Sequence, residues 1–229
     1  MISIIIPSLN AERSLAACLD ALIGATVDGL VREVIVVDGG SSDRSLEIAD
    51  GYGATVLSSA PGRGVQLNKG STAAKSDWLL FLHADTVLED GWIEEVRAFI
   101  DQEKYEAGVF TLSFIPRNWK SQMVAFGAMV RTRWFRSPYG DQGLLISRKA
   151  YDEVGGFSKI PLFEDVDFID RFRRIKDRHA LHIFQSKAHS SAARYESSGY
   201  FRRVLNNFIL MVRYRFGALP DVLAKDYDA

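Results

Sequence analysis

The chain has 229 residues, 47% of them hydrophobic and 25% charged, with a formal net charge of -1. That composition supports one sizeable core and lacks the global basic field that nucleic-acid binding calls for. The single Cys18 excludes a disulfide framework or a cysteine-rich metal site and suits a reducing, cytoplasmic setting.

In chain order, residues 2–6 form a short apolar strand and residues 7–10, PSLN, a turn. No basic leader precedes them, and Pro7 and Asn10 interrupt the stretch, so it reads as folded chain rather than a signal peptide. Residues 12–22 read as a helix with Leu15, Leu19 and Leu22 on one face. A second strand over 33–37 ends in Asp38-Gly39-Gly40-Ser41-Ser42-Asp43, followed by a helix over 45–52 and a strand over 54–57. Pro61-Gly62-Arg63-Gly64 leads into a helix through residue 74. Residues 78–85, WLLFLHAD, are the centre of the pattern. Their apolar run suits a strand covered on both faces, and it ends in His83 and Asp85. The intervening Ala84 points the other way, so both polar tips share a face.

A helix over 89–102 carries acids in its first turn, where the dipole favours them. Beyond residue 105 come a strand over 108–115, a helix over 119–133, a strand over 144–147 and a short helix over 149–154. A helix over 163–174, a strand over 180–184 and a last helix over 196–216 complete the pattern, and the polar tail after 217 reads as loose. This alternation predicts α/β layering with right-handed crossovers. Residues 1–217 read as one domain, and no run approaches the roughly 20 apolar residues of a membrane span.

Three groups of candidate site residues fall just after apolar strands: Asn10 with Glu12, Asp38, and Asp85. A parallel sheet brings such strand ends to one rim, where ligands bind. Asp38 either contacts a ligand or caps the helix over 45–52, a task that Ser42 or Asp43 also suits. Pro61-Gly62-Arg63-Gly64 is no Walker loop, and no GxGxxG turn follows the first strand. Arg63 is either a phosphate clamp or a surface arginine. Glu164, Asp165 and Asp167 open a helix, where acids serve as caps or supply a general base.

No HExxH spacing occurs among the four histidines, which argues against zinc. Asp85 with phosphate oxygens suffices for a hard cation. His189 is either a further ligand or a surface histidine. Residues 117–136 and 200–216 are basic, aromatic and free of acids. Such helices suit an anionic membrane surface and equally a docking or homodimer seam.

The residues Ser3-Ile4-Ile5-Ile6-Pro7-Ser8-Leu9-Asn10-Ala11-Glu12, Val36-Val37-Asp38-Gly39-Gly40-Ser41-Ser42-Asp43, Gly62-Arg63-Gly64, His83-Ala84-Asp85 and Glu164-Asp165 occur in that order. Taken together they resemble the family 2 glycosyltransferases, over roughly residues 1–170. The resemblance implies the GT-A nucleotide-diphospho-sugar transferase fold: a mostly parallel central sheet flanked by helices, here with a helical C-terminal segment. It divides the domain into a nucleotide-binding part (1–104), an acceptor-side part (105–195) and an amphipathic helix (196–217), with 218–229 as the tail. A finer likeness, to small members associated with radical-SAM or selenium-related genes and arsenosugar biosynthesis, rests on Gly62-Arg63-Gly64-Val65-Gln66-Leu67-Asn68 and Gly140-Asp141-Gln142-Gly143.

The resemblance implies roles residue by residue. Pro7, Leu9, Glu12 and Asp38 would hold the base and ribose, with Arg63 near the base or phosphates. Asp85 would match the last acid of the DxD motif and bind Mn2+ or Mg2+ on the diphosphate. Asp165 would deprotonate the acceptor hydroxyl, and His189 aligns loosely with a late metal-site residue. His83 departs from the pattern, since relatives commonly carry Asp there. The implied activity is inverting transfer from a nucleoside-diphosphate sugar, a UDP-sugar favoured, to a hydroxyl acceptor. The implied partners are that donor and a small-molecule, glycan or lipid acceptor, in the cytoplasm or peripherally on the inner face of its membrane. The alternatives are a nucleotidyltransferase, which would need a glycine-rich basic loop after the first strand, and a non-catalytic nucleotide-sugar or lipid-binding module.

Overall fold

In the computed structural model, which describes residues 1–228, the apolar run after Met1 forms β1 (Ile2–Ser8), buried along its whole length. A strand buried on both faces needs neighbours on each side and helices above and below. The chain supplies them in α1 (Leu15–Val27), β2 (Val31–Asp38), α2 (Ser45–Gly51), β3 (Thr55–Ser58), α3 (Arg63–Ala73) and β4 (Trp78–Phe81). The four strands lie in the order β3-β2-β1-β4, all parallel. One face packs Ile4 and Ile6 against Leu15, Leu19 and Leu22 of α1. The other packs Ile5 and Val37 against Leu67 of α3.

After β4 the chain turns through His83, Ala84 and Asp85 into β5 (Thr86–Leu88) and α4 (Trp92–Asp101). There follow β6 (Ala107–Ile115), α5 (Trp119–Phe135), a 3-10 turn at Gly140–Gln142, β7 (Leu144–Ser147), α6 (Arg148–Val154) and α7 (Glu164–Ile175). The chain ends in β8 (Leu181–Ser191), α8 (Ala193–Ser198), α9 (Tyr200–Arg215) and α10 (Pro220–Asp228). β7 joins β4 antiparallel, with Phe81 opposite Leu144, and the sheet continues β7-β6-β8-β5. Four of its pairings are parallel and three antiparallel. One eight-stranded sheet thus spans the segments before and after residue 104.

Besides the short strand β5, which the sequence did not announce, three features depart from the sequence expectation. β8 runs on through Gln185-Ser186-Lys187-Ala188-His189-Ser190-Ser191, which has little apolar alternation. Its partners hold it: β6 pairs on one side and β5 on the other, and the Glu95 carboxylate accepts the amides of Gln185 and Ser186. The long last helix is two helices, α8 and α9, separated at Gly199, whose φ of 82° suits glycine alone. The tail expected to be loose is α10. Leu223 is fully buried against Leu162 and Leu210, Arg213 pairs with Asp226 at 2.6 Å, and the Arg203 guanidinium lies 4.2 Å from the Tyr227 ring centroid. Its spacing of Leu223, Ala224 and Tyr227 makes one sticky face on an otherwise polar segment.

Candidate active site

A cleft of about 510 Å³ opens where β1 and β4 end, within the roughly 300–1,000 Å³ typical of small-molecule sites. Pro7, Ser8 and Leu9 line it from the end of β1, Arg63 and Gln66 from the start of α3, and His83, Ala84 and Asp85 from the end of β4. Gln66 ties this rim together, its amide donating to the carbonyls of Ser8 at 2.8 Å and Val37 at 2.7 Å. Tyr139, Asp141 and Asp165 face in from the second half, and Arg194, Arg203 and Tyr227 from the C-terminal helices.

Asp165 stands in the first turn of α7. Its Oδ2 accepts the Gly140 amide at 2.7 Å and its Oδ1 the Val166 amide at 2.8 Å, so the carboxylate is fixed on both oxygens. Gly140 has no room for a side chain. A Cβ there would meet His83 Nε2 at 2.7 Å and Asp165 Oδ2 at 3.3 Å. His83 and Asp165 therefore converge over that glycine. Burial, with the nearby Arg63, pushes the His83 imidazole down to about 4, so the ring is neutral at physiological pH.

Arg63 reaches behind Asp165, its Nε 2.9 Å from Glu164 Oε1. Glu164 is fully buried and neither carboxylate oxygen has a hydrogen bond. Burial raises it above the ordinary carboxylate range despite Arg63. Next to Gly140, burial likewise raises Asp141 to about 6, with Arg131 pulling the other way. Asp141 Oδ1 is buried with no hydrogen-bond partner, while Arg131 is engaged by the Tyr139 ring at 3.3 Å and the Ser137 carbonyl at 2.8 Å. A buried, unpartnered carboxylate oxygen costs free energy unless something electropositive meets it.

Pro7, Leu9, Arg63, Asp85 and Asp165 all line the cleft, but Glu12, Asp38 and His189 do not. Asp38 is 3% exposed and serves its own turn, its Oδ2 accepting the amides of Gly40 and Ser41 and its Oδ1 the Ser41 hydroxyl. The glycines that would bring a ligand close instead bring backbone N–H groups to Asp38. Glu12 is exposed and accepts the Arg44 amide at 3.2 Å, which stitches the first loop to the second. His189 lies within β8 opposite Val87, its Nε2 3.9 Å from Glu89 Oε1. Strand alternation turns it away and presents Ser190 to the cleft.

Asp141, Arg194, Arg203 and Tyr227 are cleft residues that sequence reasoning passed over. An acid between two glycines, Gly140-Asp141-Gln142-Gly143, was the available signal for the first. No periodicity marks the other three. Among the described residues, no three His, Cys, Asp or Glu side chains form a ready-made metal cage.

A model of the family described as glycosyl transferase family 2 matches residues 3–160. Over 112 residues the chain is 38% identical to a PGL/p-HBAD biosynthesis glycosyltransferase of Mycobacterium bovis, covering 45% of this chain and 43% of that protein. Over 95 residues it is 35% identical to glucosyl-3-phosphoglycerate synthase of Mycobacterium tuberculosis, covering 38% of this chain and 29% of that protein. The chain therefore matches less than half the length of these curated relatives. In structure it resembles the M. tuberculosis synthase crystallised with Mn2+, uridine diphosphate and phosphoglyceric acid, with a TM-score of 0.64 and 21% identity over 95% of this chain and 78% of that one. It also resembles S. aureus TarS residues 1–349 in complex with UDP-GlcNAc, with a TM-score of 0.65 and 19% identity over 83% of this chain and 58% of that one. The structural likeness is one of fold, the α/β GT-A-like architecture.

Proposed function

The chain belongs to glycosyl transferase family 2, and from that premise we propose that it moves a sugar from a nucleoside-diphosphate sugar to a hydroxyl acceptor with inversion. UDP is the favoured carrier, because the solved structures of this fold that it resembles hold UDP or UDP-GlcNAc. The observation that carries the reading is the meeting of Asp85 and Asp165 in one cleft, with both oxygens of Asp165 already oriented by backbone amides.

In this reading Pro7 and Leu9 bound the nucleotide and Arg63, braced by Glu164, faces the phosphates. Asp165 takes the proton of the acceptor hydroxyl as its oxygen bonds to the anomeric carbon. The bond from that carbon to the diphosphate oxygen breaks on the opposite face, and the configuration inverts. The neutral His83 packs against Gly140 beside Asp165 and adds no competing positive charge.

The donor set fits a divalent cation that enters with the diphosphate, since one or two carboxylates plus phosphate oxygens satisfy Mg2+ or Mn2+. Asp85 would hold it, and the unpartnered Oδ1 of Asp141 is the second cleft carboxylate that a positive ligand would relieve. When bound, such an ion supplies charge stabilisation to the departing phosphate oxygen. The likeness to the arsenosugar-type subgroup belongs to this reading, since both of its motifs contribute cleft residues, Arg63 and Asp141. The buried Cys18 suits a cytoplasmic setting.

Asp165→Asn tests the assignment. Transfer should fall at least about 100-fold while calorimetric binding of the UDP-sugar with Mn2+ stays intact. Wild-type turnover by this variant would remove Asp165 from its role.

A further inference from the structure

Helix α5 buries Ser121, Ala125, Met129 and Thr132 against the protein and leaves its other face exposed to solvent. Trp119, Met123, Phe126, Val130 and Trp134 follow one another at three- and four-residue intervals, so they form a single stripe. Trp119 is 67% exposed, Phe126 72% and Trp134 74%. Large apolar side chains aligned in this way on a soluble surface mark a contact site rather than chance. Helix α9 repeats the pattern with Phe201, Val204, Leu205 and Phe208, all exposed. The two helices meet where the Asn118 amide donates to the Tyr200 hydroxyl at 3.1 Å.

The charge of this face chooses its occupant. Residues 116–140 and 197–220 contain no Asp or Glu. Arg213 and Arg215 are taken up by Asp226 and Asp170, but Arg117, Lys120, Arg133 and Arg202 stand exposed around the stripes. A second copy of the chain would bring these cations against their own equivalents. An anionic surface with an apolar interior would satisfy both halves of the pattern. Among the described residues no helix is long and apolar enough to cross a membrane, so the contact is one of lying on the surface.

We propose that the α5–α9 face docks the protein on the surface of an anionic lipid bilayer. The face adjoins the cleft: Tyr200 stacks on Tyr195 with ring centroids 5.6 Å apart, Tyr195 meets Phe114 edge to face at 5.3 Å, and Tyr195 and Phe114 line the cleft. Docking therefore sets the cleft mouth beside the lipid headgroups.

Co-sedimentation of the full chain with phosphatidylcholine vesicles, with and without phosphatidylglycerol, tests this. Binding should require phosphatidylglycerol and weaken at high salt. Arg117→Glu with Lys120→Glu should weaken binding at least about 25-fold, since each surface cation contributes about fivefold. Phe126→Ser should also weaken it with melting temperature and donor hydrolysis unchanged, because that side chain faces solvent. No binding to anionic vesicles at low salt overturns the proposal. So does a dimer in light scattering that Phe126→Ser splits while vesicle binding is absent, which would assign the face to a second copy. Equal binding to neutral vesicles overturns the part played by the cations.

Discussion

Asp141→Asn separates stability from function in one residue. A carboxyl held at about 6 instead of 3.8 by burial costs the folded state about 3 kcal/mol at pH 7. The sign follows from proton counting. Between about pH 4 and pH 6 the folded chain keeps a proton that the unfolded chain has released, so stability falls as pH rises through that window. An asparagine stays neutral throughout. Relative to wild type, the variant should gain about 2.4 kcal/mol more stability at pH 7 than at pH 4, since the unfolded carboxyl is already mostly ionised at pH 4, equivalent to roughly 5–10 °C in melting temperature for a chain of this size. Urea unfolding of both proteins at the two pH values measures it. Any fixed cost of an unsatisfied amide is common to both values and cancels in the difference. Transfer activity should fall in the same variant, the trade expected where an acid is kept at a cost for function. A stability difference between variant and wild type that is the same at pH 4 and pH 7 would refute the reasoning.

Asp85→Ala should weaken UDP-sugar binding about tenfold or more in the presence of Mn2+ and leave it unchanged in EDTA, as read by calorimetry. Gly140→Ala forces a methyl to 2.7 Å from His83 Nε2; it should cost about 1–3 kcal/mol in thermal unfolding and lower kcat more than it raises the donor KM. Leu223→Ala empties a fully buried contact with Leu162 and Leu210, worth about 2–5 kcal/mol. Limited proteolysis should then open α10 before the rest of the chain, and donor KM should rise as Tyr227 leaves Arg194 and Arg203.

The strands of the sheet centre were legible because each is a short apolar run closed by turn residues, and residues 144–147 matched β7 to the residue. β8 was half missed because hydrogen-bonded partners, and not its own side chains, keep Gln185 to Ser191 extended. α10 was missed because its apolar face needs Leu162 and Leu210, which lie far away in sequence. The site followed the same division. The rim itself could be read from where apolar runs stop. Which acid faces the cleft could not. Asp38 and Asp85 both end apolar strands, yet the amides of Gly40 and Ser41 curl back onto Asp38, whereas Asp85 is left open to the cleft. His189 illustrates a register effect: one residue along β8, Ser190 has the position.

The walls of the cleft run from Pro7 to Tyr227, and this has a consequence for the order of events during synthesis. A nascent chain can lay down its parallel strands while the ribosome still shelters α10, but Arg194 and Arg203 then have no Tyr227 to rest against. Closing of the cleft wall therefore waits until α10 has been made and docked. A ligand seated in the cleft would favour the docked α10 over the undocked one.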